Sequence, residues 1–166
     1  MAQASYFAVK NHRFIERSIN SPNDEFFILD ESWNWGATVT GSYRLPYDIS
    51  VSGFLQGKNG VKGQRTNIFR QVDPDGGTAI AQLNNVTLRL EPYGSRHLAA
   101  INILNLRASK DFSLGGGRRL AVEFDVFNAL NSNAPLSATF ASGPTFGYVT
   151  NVLPPRIARM GIRFRF

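Results

Sequence analysis

Glu123 and Asp125 stand two positions apart in an alternating stretch, and Arg159, Arg163 and Arg165 alternate in the same way near the chain end. Two carboxylates on one face of a strand could act as acid and base in a hydrolysis. Arginines on the polar face of a neighbouring antiparallel strand give the same acids a different task, because opposite charges across a strand pair contribute roughly 0.2 to 1 kcal/mol each. The second reading is preferred here, with Glu123 or Asp125 expected to contact Arg163 and with Glu123, Asp125, Arg159 and Arg163 forming charge pairs on the polar side. His12 and His97 are the two histidines, and neither has an acid at motif spacing to orient it for catalysis or metal binding. The run Asp73-Pro74-Asp75-Gly76-Gly77 lacks the further oxygen ligands and distal Glu of a calcium loop and is read as a turn. Gly115-Gly116-Gly117 lacks the Gly-Lys-Ser/Thr ending of a phosphate loop, and no Gly-x-Ser-x-Gly elbow occurs. No catalytic residue, metal or cofactor is therefore expected, and the chain is not expected to be an enzyme.

The elements that carry these residues read as strands. From Arg156 to Phe166 the sequence RIARMGIRFRF sets Ala158, Met160, Ile162, Phe164 and Phe166 on one side and Arg159, Gly161, Arg163 and Arg165 on the other. The apolar row runs to the last residue and ends on an aromatic ring, where soluble chain ends usually fray. A strand facing hydrocarbon on one side and a wet lumen on the other accounts for every position, and an ordinary amphipathic strand is the alternative. Further up the chain, Trp33, Trp35, Ala37, Val39, Gly41, Tyr43 and Leu45 alternate with Asn34, Gly36, Thr38, Thr40, Ser42 and Arg44. The polar side is hydroxyl and amide, as a lumen lining would be, with both tryptophans at one end as in an interfacial girdle. A sandwich strand with its tryptophans in a core has the same pattern.

Pro46-Tyr47 joins this stretch to Asp48 to Gly57 so tightly that the two must form an antiparallel hairpin. Ala100 to Leu114 and Arg119 to Leu130 form another, turned by Gly115 to Arg118, with Lys110 an exception on the apolar side that suits an interface where a basic side chain can snorkel. Ala4 to Phe14 is a first, weakly patterned strand. Glu16 to Glu31, Lys58 to Ala99 and Asn131 to Pro155 are long and rich in turn formers, with Gln64 to Arg70 and Asn85 to Leu90 as strand extensions. The connections thus alternate long, short, long, short, long. Bacterial outer-membrane barrels require that alternation, with short turns on one rim and long loops on the other; sandwiches do not. The expected fold is all-β, an antiparallel meander of about six strands over residues 1–166. Six strands cannot close such a barrel, so the chain would be an open sector of a transmembrane β-barrel. A soluble β-sandwich or lectin-like binding module is the alternative.

Bulk properties agree with a strand-rich chain. Only 18% of residues are charged and 43% are hydrophobic, with 15 Gly and 13 Phe, and no run approaches the length of a membrane-spanning helix. The net charge of +6 invites a polyanion reading, yet the basic residues are scattered, with Arg118-Arg119 the one adjacent pair, and nucleic acid is not expected as a partner. Absence of cysteine excludes disulfides and thiol chemistry. Lys10, His12 and Arg13 interrupt any apolar core of a secretory signal near the start. A barrel must be exported, so the sequence is expected to be the tail of a longer one.

The blocks Ser21 to Gly36 (SPNDEFFILDESWNWG), Gly41 to Gly53 (GSYRLPYDISVSG), Leu104 to Leu114 (LNLRASKDFSL), Phe124 to Asn131 (FDVFNALN) and Ser142 to Phe166, in that order, resemble the C-terminal end of TonB-dependent outer-membrane receptors. The likeness is to the Oar-like group, whose full-length members carry a carboxypeptidase-regulatory-like N-terminal domain. The resemblance implies a plugged barrel of about twenty-two strands that imports a scarce ligand across the cell outer membrane with energy delivered through TonB. It implies outer-membrane lipid, the rest of the barrel, the plug and the TonB complex as partners. It also implies that Met160, Ile162, Phe164 and Phe166 form the C-terminal signal read by the barrel-assembly machinery. Signal peptide, plug and TonB-contacting segment are missing from these residues.

Overall fold

Alternation of large apolar with small polar residues commits the long segments to strands, and short turns commit successive strands to antiparallel pairing. The computed structural model describes residues 1–13, 30–70 and 85–166. In chain order the strands are β1 (Ala2–Arg13), β2 (Asp30–Leu45), β3 (Ile49–Lys58), β4 (Lys62–Gly63), β5 (Thr66–Phe69), β6 (Val86–Arg89), β7 (Arg96–His97), β8 (Ile101–Gly115), β9 (Arg118–Phe127), β10 (Pro135–Ala138), β11 (Val149–Val152) and β12 (Ile157–Arg165). The chain is all-β, with no helix among the described residues. Six strands form one antiparallel sheet in the order β1-β2-β3-β8-β9-β12. The sheet is open, with β1 and β12 at its two edges.

Every neighbouring pair along this sheet is adjacent in the meander, and the registers align the faces. Val39 opposes Leu55, which opposes Leu104; Ala108 opposes Phe124, which opposes Met160. Register also settles β1, whose sequence alternates poorly. Tyr6 and Ala8 oppose Ala37 and Trp35 on the apolar face, while Phe7 opposes Gly36 on the polar face. A side chain at Gly36 would collide with the Phe7 ring, whose Cε1 lies 2.4 Å from where a Cβ would stand. Glycine is thus what lets an aromatic ring lie flat on the polar side of the sheet.

The turns fall on two rims. At one rim Tyr47 and Asp48 turn the chain with positive φ at both, which suits the twist of a hairpin, and Gly115, Gly116 and Gly117 turn it again. The first connection is one residue longer than expected, because pairing resumes at Ile49 rather than Asp48. At the other rim lie residues 59–70, 85–100 and 128–156. The connection from β1 to β2, residues 14–29, falls outside the described residues, as does most of the expected polar loop Glu16 to Glu31; its end differs, since β2 already begins at Asp30.

Two expectations about the long segments need correction. Arg119 to Leu130 is strand only to Phe127, because Asn128 takes a positive φ of 49° and ends it. The loops are not bare: β4 pairs with β7 and β10 with β11 inside the expected loop Asn131 to Pro155, while the strand extensions expected at Gln64 to Arg70 and Asn85 to Leu90 are present as β5 and β6, paired with each other.

Where β3 leaves the sheet and β8 enters it, the chain crosses itself closely. A Cβ on Gly60 would lie 2.1 Å from the Leu98 carbonyl oxygen and 2.4 Å from that of Ala99. Backbone cannot swing aside as a side-chain tip can, so Gly60→Ala should destabilise the fold by about 1–3 kcal/mol. A urea titration of the folded protein checks this; an unchanged midpoint would show that the crossing is looser than its geometry implies.

Candidate functional site

The two faces of the sheet are chemically opposite, and neither is covered by a second layer among the described residues. On the apolar face Met160 is 72% exposed, Ile162 71% and Phe124 48%. Phe164 and Phe166 are exposed as well, and their ring centroids stand 6.2 Å apart. The residues that a sandwich would seal between two sheets are thus in the open. Trp33 and Trp35 stand on this face toward the long connections and Tyr43, Phe112 and Phe164 toward the short turns, while Tyr6, opposite Ala37, lies near the middle. Between them lie Val39, Val51, Leu55, Leu104, Leu106 and Val126.

The polar face carries the ion pairs. Register sets Arg107, Asp125 and Arg159 directly opposite one another on β8, β9 and β12. Arg107 Nε donates to Asp125 Oδ1 at 2.6 Å, and Arg159 donates to Oδ2 through Nη2 at 2.7 Å and Nε at 3.1 Å. Asp125 is 5% exposed. Two arginines clamp one acid, and both its oxygens are engaged. Arg163 lies opposite Ala121, two residues along from the Glu123–Gly161 pair, and reaches Glu123 diagonally at 2.8 Å. Arg159 also lies 5.5 Å from the Phe127 ring centroid. Glu123, Asp125, Arg159 and Arg163 therefore form two adjacent clusters on one face. Arg107 belongs with them and was not foreseen, although its alternation with Asn105 and Ser109 put it on the polar side. Arg165 stands opposite Arg119. Chemically, the cluster can lock three strands in register; it holds no nucleophile and no uncommitted oxygen on Asp125.

A hollow of about 410 Å³ on this face is bordered by Gln3, Thr40, Ser52, Phe54, Asn105 and Asp125, spread over β1 to β9.

Other candidates stand apart. His12 approaches Glu31 at 3.4 Å, and Lys10 pairs with the same carboxylate at 2.5 Å. His97 lies in β7, far in sequence from any acid cluster, and no group of three potential metal-ligating residues occurs among the described residues. Asp73 to Gly77 falls outside the described residues.

A second buried polar residue was missed. Asn128 is 5% exposed; its Nδ2 donates to the carbonyls of Ser132 (2.9 Å) and Pro154 (2.8 Å), and its Oδ1 accepts from Ser132 N–H at 2.9 Å. Its own N–H donates to Asn105 Oδ1. One amide ties both ends of the 128–156 connection to the top of β8 and β9. Asn131, also at positive φ, accepts from the Arg156 N–H through Oδ1. The signal was present in FNALN: asparagine tolerates the left-handed region better than other side-chain-bearing residues, and two of them follow a strand directly.

The two described long connections also join each other. Thr66 N–H donates to the Phe140 carbonyl and Ser142 N–H to that of Thr66; Arg65 Nε donates to Ser142 Oγ. The Phe146 ring lies 4.8 Å from the Arg65 guanidinium and 5.7 Å from that of Arg96. Arg96 in turn pairs with Glu91, and that hydrogen bond holds the Glu91 carboxyl below its ordinary range. Comparison with protein-family models, with curated proteins and with solved structures gives no match.

Proposed function

We propose that this chain is a C-terminal wall sector of an outer-membrane barrel of the TonB-dependent receptor type, the parent protein importing a ligand across the outer membrane. The observation that carries the reading is the uncovered apolar face, with Trp33 and Trp35 at one end and Tyr43, Phe112 and Phe164 toward the other, backed by a polar face of hydroxyls, amides and paired charges. From Trp33 to Tyr43 a strand rises about 33 Å; at a tilt near 40° that becomes about 25 Å, the height of the lipid-facing band of such barrels. Short turns on one rim and long connections on the other suit periplasmic and outer sides. The open edges at β1 and β12 leave backbone groups that lipid cannot satisfy, so the remainder of the barrel would pair with them. In this reading the chain's role is structural, the polar face meets lumen and plug, and Met160, Ile162, Phe164 and Phe166 present the row recognised during barrel assembly.

Because the chain has no cysteine, single cysteines report sidedness cleanly. Tyr148→Cys, in the exposed stretch before β11, should react with a membrane-impermeant maleimide on intact cells. Tyr47→Cys, in the short turn, should react only after the outer membrane is permeabilised. Recovery of the protein in the soluble fraction, or equal labelling of both on intact cells, would overturn the reading.

A further inference from the structure

Between its two rims the apolar face carries one charge among the described residues. Lys10 and Glu31 neutralise each other at the long-connection rim, and Arg118 sits at the Gly115–Gly117 turn. Lys110 stands alone in the face. Its register partners are Ile49 and Val122, and no carboxylate among the described residues pairs with it. Its ammonium lies 5.0 Å from the Phe112 ring centroid, a cation–π contact that supplies part of what solvation would give.

The same spot is hollow. A depression of about 300 Å³ is lined by Ile49, Ala108, Lys110, Phe112, Val122 and Phe124, almost wholly carbon. Ala108 forms a low point between Val51 and Phe124, its neighbours across the strands. A dent in a lipid-facing wall is filled by whatever methylene chain abuts it, because an unfilled gap forfeits dispersion contacts. An ammonium at its edge adds a preference for a chain that carries a negative head. Lys110 also lies one strand over from the first residue after the short turn, near the rim where phosphates would lie.

We infer that β3, β8 and β9 form a site for an anionic phospholipid of the leaflet at the short-turn rim, its acyl chain in the hollow and its phosphate on Lys110. The inference rests on the barrel reading. Occupancy would order lipid against this part of the wall and satisfy the one cation that the face leaves without an anion.

The test uses protein extracted from membranes in mild detergent and native mass spectrometry with two added probes of equal chain length, phosphatidylglycerol and phosphatidylcholine. The expected result is preferential retention of phosphatidylglycerol by about fivefold, the worth of one basic residue near a headgroup. Lys110→Gln should abolish the preference and Lys110→Arg should keep it. Ala108→Phe, which fills the hollow, should lower retention of both lipids. Equal retention by the native chain, an unchanged preference in Lys110→Gln, or a second copy of the chain in place of lipid would overturn the site. Membrane location is read separately from the cysteine labelling: failure there removes barrel and site together, whereas correct labelling without a lipid preference removes the site alone.

Discussion

Asn128→Ala is expected to destabilise the folded protein by about 3–5 kcal/mol. The substitution deletes three side-chain hydrogen bonds, each with a net worth of about 0.5–1.5 kcal/mol and more where the abandoned partner stays buried. It also places alanine at a φ of 49°, which adds about 1–2 kcal/mol. Two companions separate these contributions. Asn128→Gly removes the bonds and relieves the backbone, so it should recover about 1 kcal/mol of the loss. Asn128→Asp keeps the oxygen that accepts from Ser132 and loses both donors. Urea titration of the three variants gives the ranking, and a native-like midpoint for Asn128→Ala would show that the corner is held by something other than this amide.

Val39→Arg divides the membrane reading from an aqueous one. Val39 lies about midway between Trp33 and Tyr43 on the apolar face and is 46% exposed. If that face meets hydrocarbon, an arginine near the midplane costs about 2–4 kcal/mol. If it meets water, replacing a half-exposed valine on a surface changes stability by no more than about 0.5 kcal/mol. The contrast with Tyr43→Arg sharpens the result, since the penalty falls to about 0–1 kcal/mol near an interface. Equal and small effects at the two depths would return the face to solvent.

Much of the sheet was legible because its period of two runs unbroken. The hairpins around Pro46-Tyr47 and Gly115-Gly117, the pairing order and the sharing of one polar face by Glu123, Asp125, Arg159 and Arg163 follow from alternation and turn residues. Three things did not. Tyr6 to Val9 has apolar residues on both faces, so only the pairing with β2 assigns them. Strands β4 and β7 are two residues long, too short for periodicity to register, and are held by partners distant in sequence, whereas alternation did mark β5 and β6. Arg107 and Asn128 act through groups on other strands, and a single sequence shows their type without showing what they reach. Lys110 was visible as an exception, but the hollow beside it depends on the sizes of Ile49, Val122 and Phe124 meeting across three strands.

The junction of Thr66 with Phe140 and Ser142, braced by Phe146 between two guanidiniums, has a mechanical corollary. Residues 59–70 and 131–155 are coupled like two halves of one awning fixed over β3, β8, β9 and β12. A pull on one half is passed to the other through these bonds, so a molecule gripping either half would feel the stiffness of both.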